Sequence, residues 1–374
     1  MSRYKILIVI ALVLFMTVPS GLARAQAVPT LTSAGVSGSG TAIIVDGLAP
    51  SDTVIFSLAG VTFPADNTEY EGWLISDDGS TKLSTGILKV TADGSLNHTF
   101  SSPTGENFIA KYDKVVITVE PDPDSDPGPS DDVAFMHQIP ASGIAHIRHL
   151  LTEWPSGADA GILTNLQNQI QAAIVHAALA KNSSTLDAVK LHMGHVINII
   201  EGEGGDNFDG SVGNPGDGIG VLAHAQDRKH ASFASNASPG DAVIAEHSKV
   251  VETHGENAEN WSILARDQAL SILDLNSLVG AQTLAGAVGA ILQDARDGID
   301  ATGQGGADQA YVEAQLMATY TLPSPAVAPA GPALPVTGDS AVPILAQISL
   351  AVALMLLLTG GFLLVRSRRS RSVA

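Results

Sequence analysis

Hydrophobic and polar positions change their rhythm three times along the chain. Between residues 30 and 135 the apolar residues come in short β-branched runs: Ala42-Ile43-Ile44-Val45, Thr53-Val54-Ile55-Phe56, Trp73-Leu74-Ile75, Gly86-Ile87-Leu88-Lys89-Val90 and Val115-Val116-Ile117-Thr118-Val119. Asp46-Gly47, Asp78-Gly79 and Asp93-Gly94 punctuate them. Asp-Gly between apolar runs is a hairpin signal, and regular short strands predict a β-sandwich. From residue 140 the period lengthens. Leu163-Leu166-Ile170-Ile174, Leu186-Val189-Met193-Val196-Ile197-Ile200, Ile263-Leu264-Leu270-Leu273 and Leu284-Val288-Ile291-Leu292 climb in steps typical of amphipathic helices. Ser184 or Thr185 is placed to cap the second stripe and Gly202 to stop it. Four or more such stripes predict a bundle. The expected fold is multidomain: an all-β sandwich over 26–120, an all-α helical bundle over 140–320, and one C-terminal transmembrane helix. The acidic, proline-rich stretch 121–139 reads as the linker between the first two, with nothing in it to bury.

At the ends the apolar runs are unbroken. Arg3 and Lys5 precede Ile6–Met16, and Pro19, Gly21 and Ala23-Arg24-Ala25 follow. This order predicts a signal peptide over 1–25, cleaved after Ala25, because the run is short for a spanning helix; an uncleaved anchor is the alternative. Residues 341–365 carry no charge and are long enough to span a bilayer; Arg366, Arg368, Arg369 and Arg371 follow. Arginines stay on the cytoplasmic side, so the body is expected outside and the tail 366–374 inside. A Pro/Ala-rich stalk, 321–333, precedes Leu334-Pro335-Val336-Thr337-Gly338. Motif, apolar span and basic tail together resemble the cell-wall sorting signal of sortase substrates. The resemblance implies cleavage at Thr337–Gly338 and transfer to the wall, with sortase and the cell wall as partners. A permanent membrane anchor behind a proline-rich stalk is the alternative.

Composition narrows the chemistry. The chain has no cysteine, which removes disulfides, thiolate metal sites and cysteine nucleophiles. Outside the two ends it carries 12 basic against all 38 acidic residues. That field disfavours nucleic acid and anionic lipid and attracts cations or basic partners; solubility in a salty or acidic exterior is the plainer alternative, and the preferred one. No G-x-S-x-G, Walker loop or strand-linked G-x-G-x-x-G is present, and Asp77-Asp78 and Asp131-Asp132 sit in turn and linker settings. Binding or display is expected, not catalysis.

Tyr70-Glu71-Gly72-Trp73-Leu74-Ile75, Gly86-Ile87-Leu88, Ala92-Asp93-Gly94-Ser95, Ile117-Thr118-Val119-Glu120-Pro121 and Pro129-Ser130 follow one another in a recognisable order. From about Ala49 to Phe135 the segment resembles the extracytoplasmic domain of anti-sigma-K factors of the RskA type. The resemblance implies a small β-sandwich, with Trp73 expected between its sheets. The sigma-binding role is not implied, because no cytoplasmic domain precedes the segment in this chain.

Ten of the 11 histidines lie between His137 and His254. His146 and His149 are three apart, as are His192 and His195, while His247 and His254 are separated by two helical turns. Such spacings set imidazoles on one helix face, where a transition metal or haem is a candidate ligand; Glu201, Glu203, Glu246 and Glu252 are acids in reach of the sequence argument. The alternatives are histidines bonded to one another or to carbonyls, and a pH sensor. Asp206, Asn207, Asp209 and Asp217 in the glycine-rich loop 204–218 offer oxygens that suit Ca2+, though the EF-hand spacing does not fit. Three functional readings follow: an anchored interaction or structural module, a metal- or haem-binding ectodomain, and an extracytoplasmic sensory part of a regulator.

Overall fold

The computed structural model describes residues 35–323. The expected signal peptide, the stalk beyond Pro323, the LPVTG motif, the span 341–365 and the tail lie outside the described residues. Among the described residues no helix is long and apolar enough to cross a membrane.

The chain opens with β1 (Ser39–Val45), β2 (Thr53–Ala59), β3 (Thr68–Ser76), β4 (Lys82–Leu88) and β5 (Leu96–Ser101). A single helical turn, α1 (Phe108–Lys111), leads into β6 (Tyr112–Pro121) and β7 (Val133–Gln138). Eight helices follow: α2 (Ala141–Leu151), α3 (Ile162–Lys181), α4 (Leu186–Glu201), α5 (Val221–Gln226), α6 (His230–Ala237), α7 (Ala242–Leu273), α8 (Leu278–Asp297) and α9 (Ala307–Leu316). A last strand, β8 (Tyr320–Leu322), closes the body.

The strands form two antiparallel four-stranded sheets, ordered β5-β2-β1-β8 and β4-β3-β6-β7. Alternation puts Ile44, Phe56, Tyr70, Leu74, Val115 and Ile117 into one core shared with the helices. Each large apolar side chain buried there contributes roughly 1.5–3 kcal/mol. Trp73 is out of phase with Leu74, so it faces away from the space between the sheets. It is buried with Ile75, Val116 and Val133 on the opposite face, and its indole N–H donates to Thr118 Oγ1 at 2.9 Å. The expected place of Trp73 between the sheets is therefore corrected by the two-residue period of β3.

Two boundaries also shift. Part of the predicted linker is β7, which pairs with β6 from Lys114↔Gln138 to Thr118↔Val133. The loop before it is tied down: Ser130 N–H donates to Glu120 Oε1 at 2.9 Å, and Ser130 Oγ donates to the Val119 carbonyl. Thr118 also donates to Glu120, so Trp73, Thr118, Glu120 and Ser130, drawn from three sequence motifs, form one hydrogen-bonded chain. At the other boundary, Tyr320–Leu322 is not all stalk, because it adds to the edge of β1, with Ala42↔Tyr320 and Gly40↔Leu322 in register. The helices are thus inserted between the seventh and eighth strands.

Side chains clamp the inserted region to the sandwich. Arg148 of α2 forks onto the Asp77 carboxylate at 2.6 and 2.7 Å and donates to the Ile109 carbonyl. That guanidinium holds the Asp77 carboxyl below the usual range. On α9, Tyr311 and Gln315 both donate to Asp46 Oδ1.

Within the helices the α3 and α4 stripes bury as expected, apart from Ile174 and Leu186, which are partly covered. Thr185 caps α4 by accepting from the Ala188 N–H, and Gly202 stops it at φ +72°. The stripe expected on α7 is right only in part: Leu270 and Leu273 pack partly buried against the core, while Leu264 is exposed. The fully buried seam is Ile244, Ser248, Val251, Gly255, Ala258, Ser262, Ala265, Ala269 and Ile272. Small side chains let neighbouring helices approach closely and supply much of that face. On α8 the expected stripe holds at Val288 and Leu292, which are buried, and at Ile291, which is partly covered; Leu284 is exposed, and Ala281, Ala285 and Ala295 complete the buried face.

Candidate metal centres

Helical spacing brings His146 and His149 onto one face of α2, and the start of α6 places His230 against them. His230 Nδ1 lies 3.1 Å from His146 Nδ1 and 3.1 Å from His149 Nδ1. On α4, His192 and His195 share a face in the same way, and α3 supplies His176. Its Nδ1 lies 3.3 Å from His192 Nδ1 and 3.2 Å from His195 Nδ1. In each triad the three ligand atoms all lie within 4.8 Å of one another.

The two triads are built alike. Ring centroids of the H-x-x-H pairs are 5.6 Å apart in the first and 5.7 Å in the second. The third imidazole stands 5.2 and 4.8 Å from its partners in the first, 5.4 and 4.8 Å in the second. In both it meets the second histidine of the pair edge-on, at 84° and 85°.

Hydrogen bonding alone does not satisfy this arrangement. An imidazole Nδ1 carries either one proton or one lone pair, so it makes one good hydrogen bond. His230 Nδ1 and His176 Nδ1 each face two other nitrogens at hydrogen-bond distance. A cation at the centre satisfies all three lone pairs together. Bonds of roughly 2.0–2.1 Å at tetrahedral to right angles put ligand nitrogens roughly 2.9–3.4 Å apart, which brackets these contacts. A haem between two imidazoles requires ~4 Å from nitrogen to nitrogen and room for the ring; this spacing suits a bare ion.

The electrostatics agree with neutral, ligating imidazoles. Burial, with the neighbouring imidazoles, pulls His176 and His230 down to about 4. Burial also lowers His146, His149 and His192, with a neighbouring imidazole assisting in the last two. Around the first triad stand aromatic walls: Trp154 lies 4.4 Å from the His230 ring and 4.7 Å from the His149 ring, and Phe233 lies 5.5 Å from His146. The indole N–H is fixed by Asp227 Oδ2 at 3.0 Å. The second triad is held differently. His195 Nε2 lies 2.7 Å from the Val212 carbonyl. Donation to that carbonyl leaves a lone pair on Nδ1, the usual way an outer partner fixes a ligand's tautomer.

The other predicted ligands go elsewhere. His247 and His254 share no site: His247 Nδ1 pairs with Glu313 Oε2 at 2.6 Å, and His254 Nδ1 is buried against Gly305 without a hydrogen-bond partner. Two helical turns hold them too far apart to converge. Glu201 accepts from Asn207 and Arg266. Burial pushes its carboxyl up, but these bonds outweigh that and leave it lowered. Nor do Asp206, Asn207, Asp209 and Asp217 gather around a Ca2+ position. Asp209 Oδ1 accepts from the Ser211 N–H, Asp217 Oδ1 from Ile219 and Gly220, and Asp217 Oδ2 pairs with His224 at 2.6 Å. Turn closure and His224 thus take oxygens of Asp209 and Asp217, Asn207 donates to Glu201, and among the described residues only the two histidine triads form convergent His/Asp/Glu groups.

The sequence reading missed His176 and His230. The available signal was the recurrence of H-x-x-H, which implies two sites each short of a third ligand, with His176, His224 and His230 as the remaining helical histidines.

Fold and site together define a β-sandwich with an inserted helical region that carries two matched tris-imidazole clusters. The family model described as "Anti-sigma-K factor rskA, C-terminal" matches residues 6–133, about a third of the chain. An RskA C-terminal domain therefore spans the sandwich up to the start of β7, and its match runs back to the apolar run at Ile6, well before the expected Ala49. Both triads lie outside the matched residues. No curated protein and no solved structure matches the chain.

Proposed function

We propose that this chain is a surface-displayed metal-binding protein, in which an RskA-like sandwich carries two sites for late first-row transition ions. One observation carries the reading: two triads, built from different helices, have nitrogen spacings within 3.1–3.3 Å and the same edge-on meeting of the third ring with the second histidine of the pair. Three neutral imidazoles with no sulfur suit Zn2+ and Cu2+ best, by ligand type and by the usual affinity order. Three protein ligands leave a fourth position for solvent or a passing donor, an arrangement fit for taking up and releasing an ion. The acidic body raises the local concentration of cations.

Elemental analysis of the purified full chain after loading and desalting is expected to give two equivalents of Zn2+ or Cu2+. A chain that retains neither ion removes the reading. Display at the surface rests on the sequence ends, with Leu334, Pro335, Val336, Thr337 and Gly338 as the sortase recognition residues. The expected effect of Thr337→Ala is loss of the protein from the wall fraction with retention in the membrane fraction.

The family match favours a second reading, in which the metal-binding body is the extracytoplasmic sensory part of an anti-sigma system. Capture of a sigma factor, through a partner, with the full-length chain from membranes supports it; repeated failure to do so counts against it.

A further inference from the structure

The two triads share ligands and spacing but not surroundings, and the difference bears on which ion each one takes. The second triad is flanked by polar loop backbone, and His195 is braced by the Val212 carbonyl. A divalent ion on three imidazoles demands a fourth, polar donor, and an outer hydrogen bond that raises ligand basicity favours it. The first triad is flanked instead by the indole of Trp154 against His149 and His230, and by Phe233 against His146 and His230. Asp227 locks that indole in place. The carboxylates that act on His230 and His149 are engaged elsewhere, Asp227 by the indole and Lys229, and Glu153 by the Gly157 N–H. Aromatic rings offer no lone pair to a divalent ion, but their faces attract a weakly hydrated cation through their quadrupole. Cu+ suits such a site, since it is content with two or three nitrogen donors and does not require water. His149 also lines an open cleft of about 340 Å³ with Arg148, Glu153 and Ser156, which gives the ion a way in.

Resting on the metal-binding reading above, we infer that the His146–His149–His230 site, walled by Trp154, selects Cu+, while the His176–His192–His195 site selects a divalent ion.

The test is an anaerobic titration of the full chain with Cu+ against a chromophoric cuprous chelator, with tryptophan emission read in parallel. His176→Ala isolates the first site and His230→Ala the second. In the His176→Ala chain, one equivalent of Cu+ is expected to quench emission, and adding Trp154→Ala to weaken Cu+ binding roughly 3- to 30-fold. Trp154→Phe, which keeps an aromatic face, is expected to retain most of the affinity. In the His230→Ala chain, Cu+ is expected to bind more weakly and to leave emission unchanged. Equal Cu+ affinity at the two isolated sites, or no quenching at the first, overturns the inference; this second readout needs no change at Trp154. If Zn2+ still binds both sites, the metal-binding reading survives that failure. If no ion binds either site, both fall.

Discussion

The two triads solve the problem of holding three imidazoles together with different supports. At the first, the H-x-x-H helix is fixed from outside: Arg148, between the two ligands, forks onto Asp77 of the sandwich. At the second, the helix fixes its own surroundings. His195, Asn198 and Glu201 lie three residues apart along α4, and each holds the glycine-rich loop through Val212, through Asp209 and Gly213, and through Asn207. Closely similar ligand geometry thus rests on the sandwich in one case and on a loop with almost no regular structure in the other. The lesson is that ligand spacing along a helix is local, whereas rigidity of a site is borrowed from whatever packs behind it.

That comparison can be broken most sharply at the third ligands. His230→Ala and His176→Ala are each expected to remove one of two metal equivalents, with an affinity loss at the altered site beyond the roughly 10- to 100-fold typical of an outer partner. Calorimetry of each variant checks this, and loss of both equivalents from one substitution shows that the triads are not independent sites.

Acid provides the next largest effect. In the unfolded chain a histidine titrates near its ordinary value of about 6.5, while His176 and His230 titrate at about 4 in the fold. Between those values the unfolded chain binds protons that the folded one refuses, so stability falls as pH drops from about 6.5 towards 4 and is level above that window. The metal-free protein is expected to melt several degrees lower at pH 5 than at pH 7. His176→Gln and His230→Gln are each expected to flatten that slope by a similar share. A slope that only one of them flattens marks the triads as electrostatically unequal.

The smallest effect sharpens the contrast in supports. Asn198 is buried and makes three bonds to the loop, at 2.7–2.9 Å. Asn198→Ala is expected to cost roughly 1–3 kcal/mol of stability. It is also expected to weaken metal binding at the second triad by about tenfold or less. Binding at the first triad should not change, and calorimetry in the His176→Ala and His230→Ala backgrounds separates the two.

How much of this was legible depended on how far apart the cooperating residues lie. Five of the strands and their Asp-Gly turns were readable because alternation is local. β5, β7 and β8 were not: Leu96–Ser101 has only Leu96 and Phe100 as apolar residues, β7 followed a stretch rich in Pro and Asp, and β8 is three residues long. The H-x-x-H pairs were visible for the same local reason. His176 and His230 were hidden because each completes a triad only through tertiary packing, as much as 84 residues away in sequence. The α7 stripe misled at Leu264, because hydrophobicity ranks leucine above alanine, while close helix contact here buries Gly255, Ala258 and Ala265 and leaves Leu270 and Leu273 partly covered. The oxygen-rich loop misled because Asp and Asn close turns with the same atoms that would bind an ion.

The pairing of the last strand with the first has a mechanical corollary. Gly40 and Leu322 are direct neighbours across that ladder, so the polypeptide enters and leaves the folded body at a single corner. Whatever pulls on either end of the described residues therefore acts on the body at one corner. Tension drawn through residue 323 falls first on a three-residue strand, so β8 peels from the edge of β1 before any larger sheet is torn, while Arg148 on Asp77 still ties the helices to the sandwich.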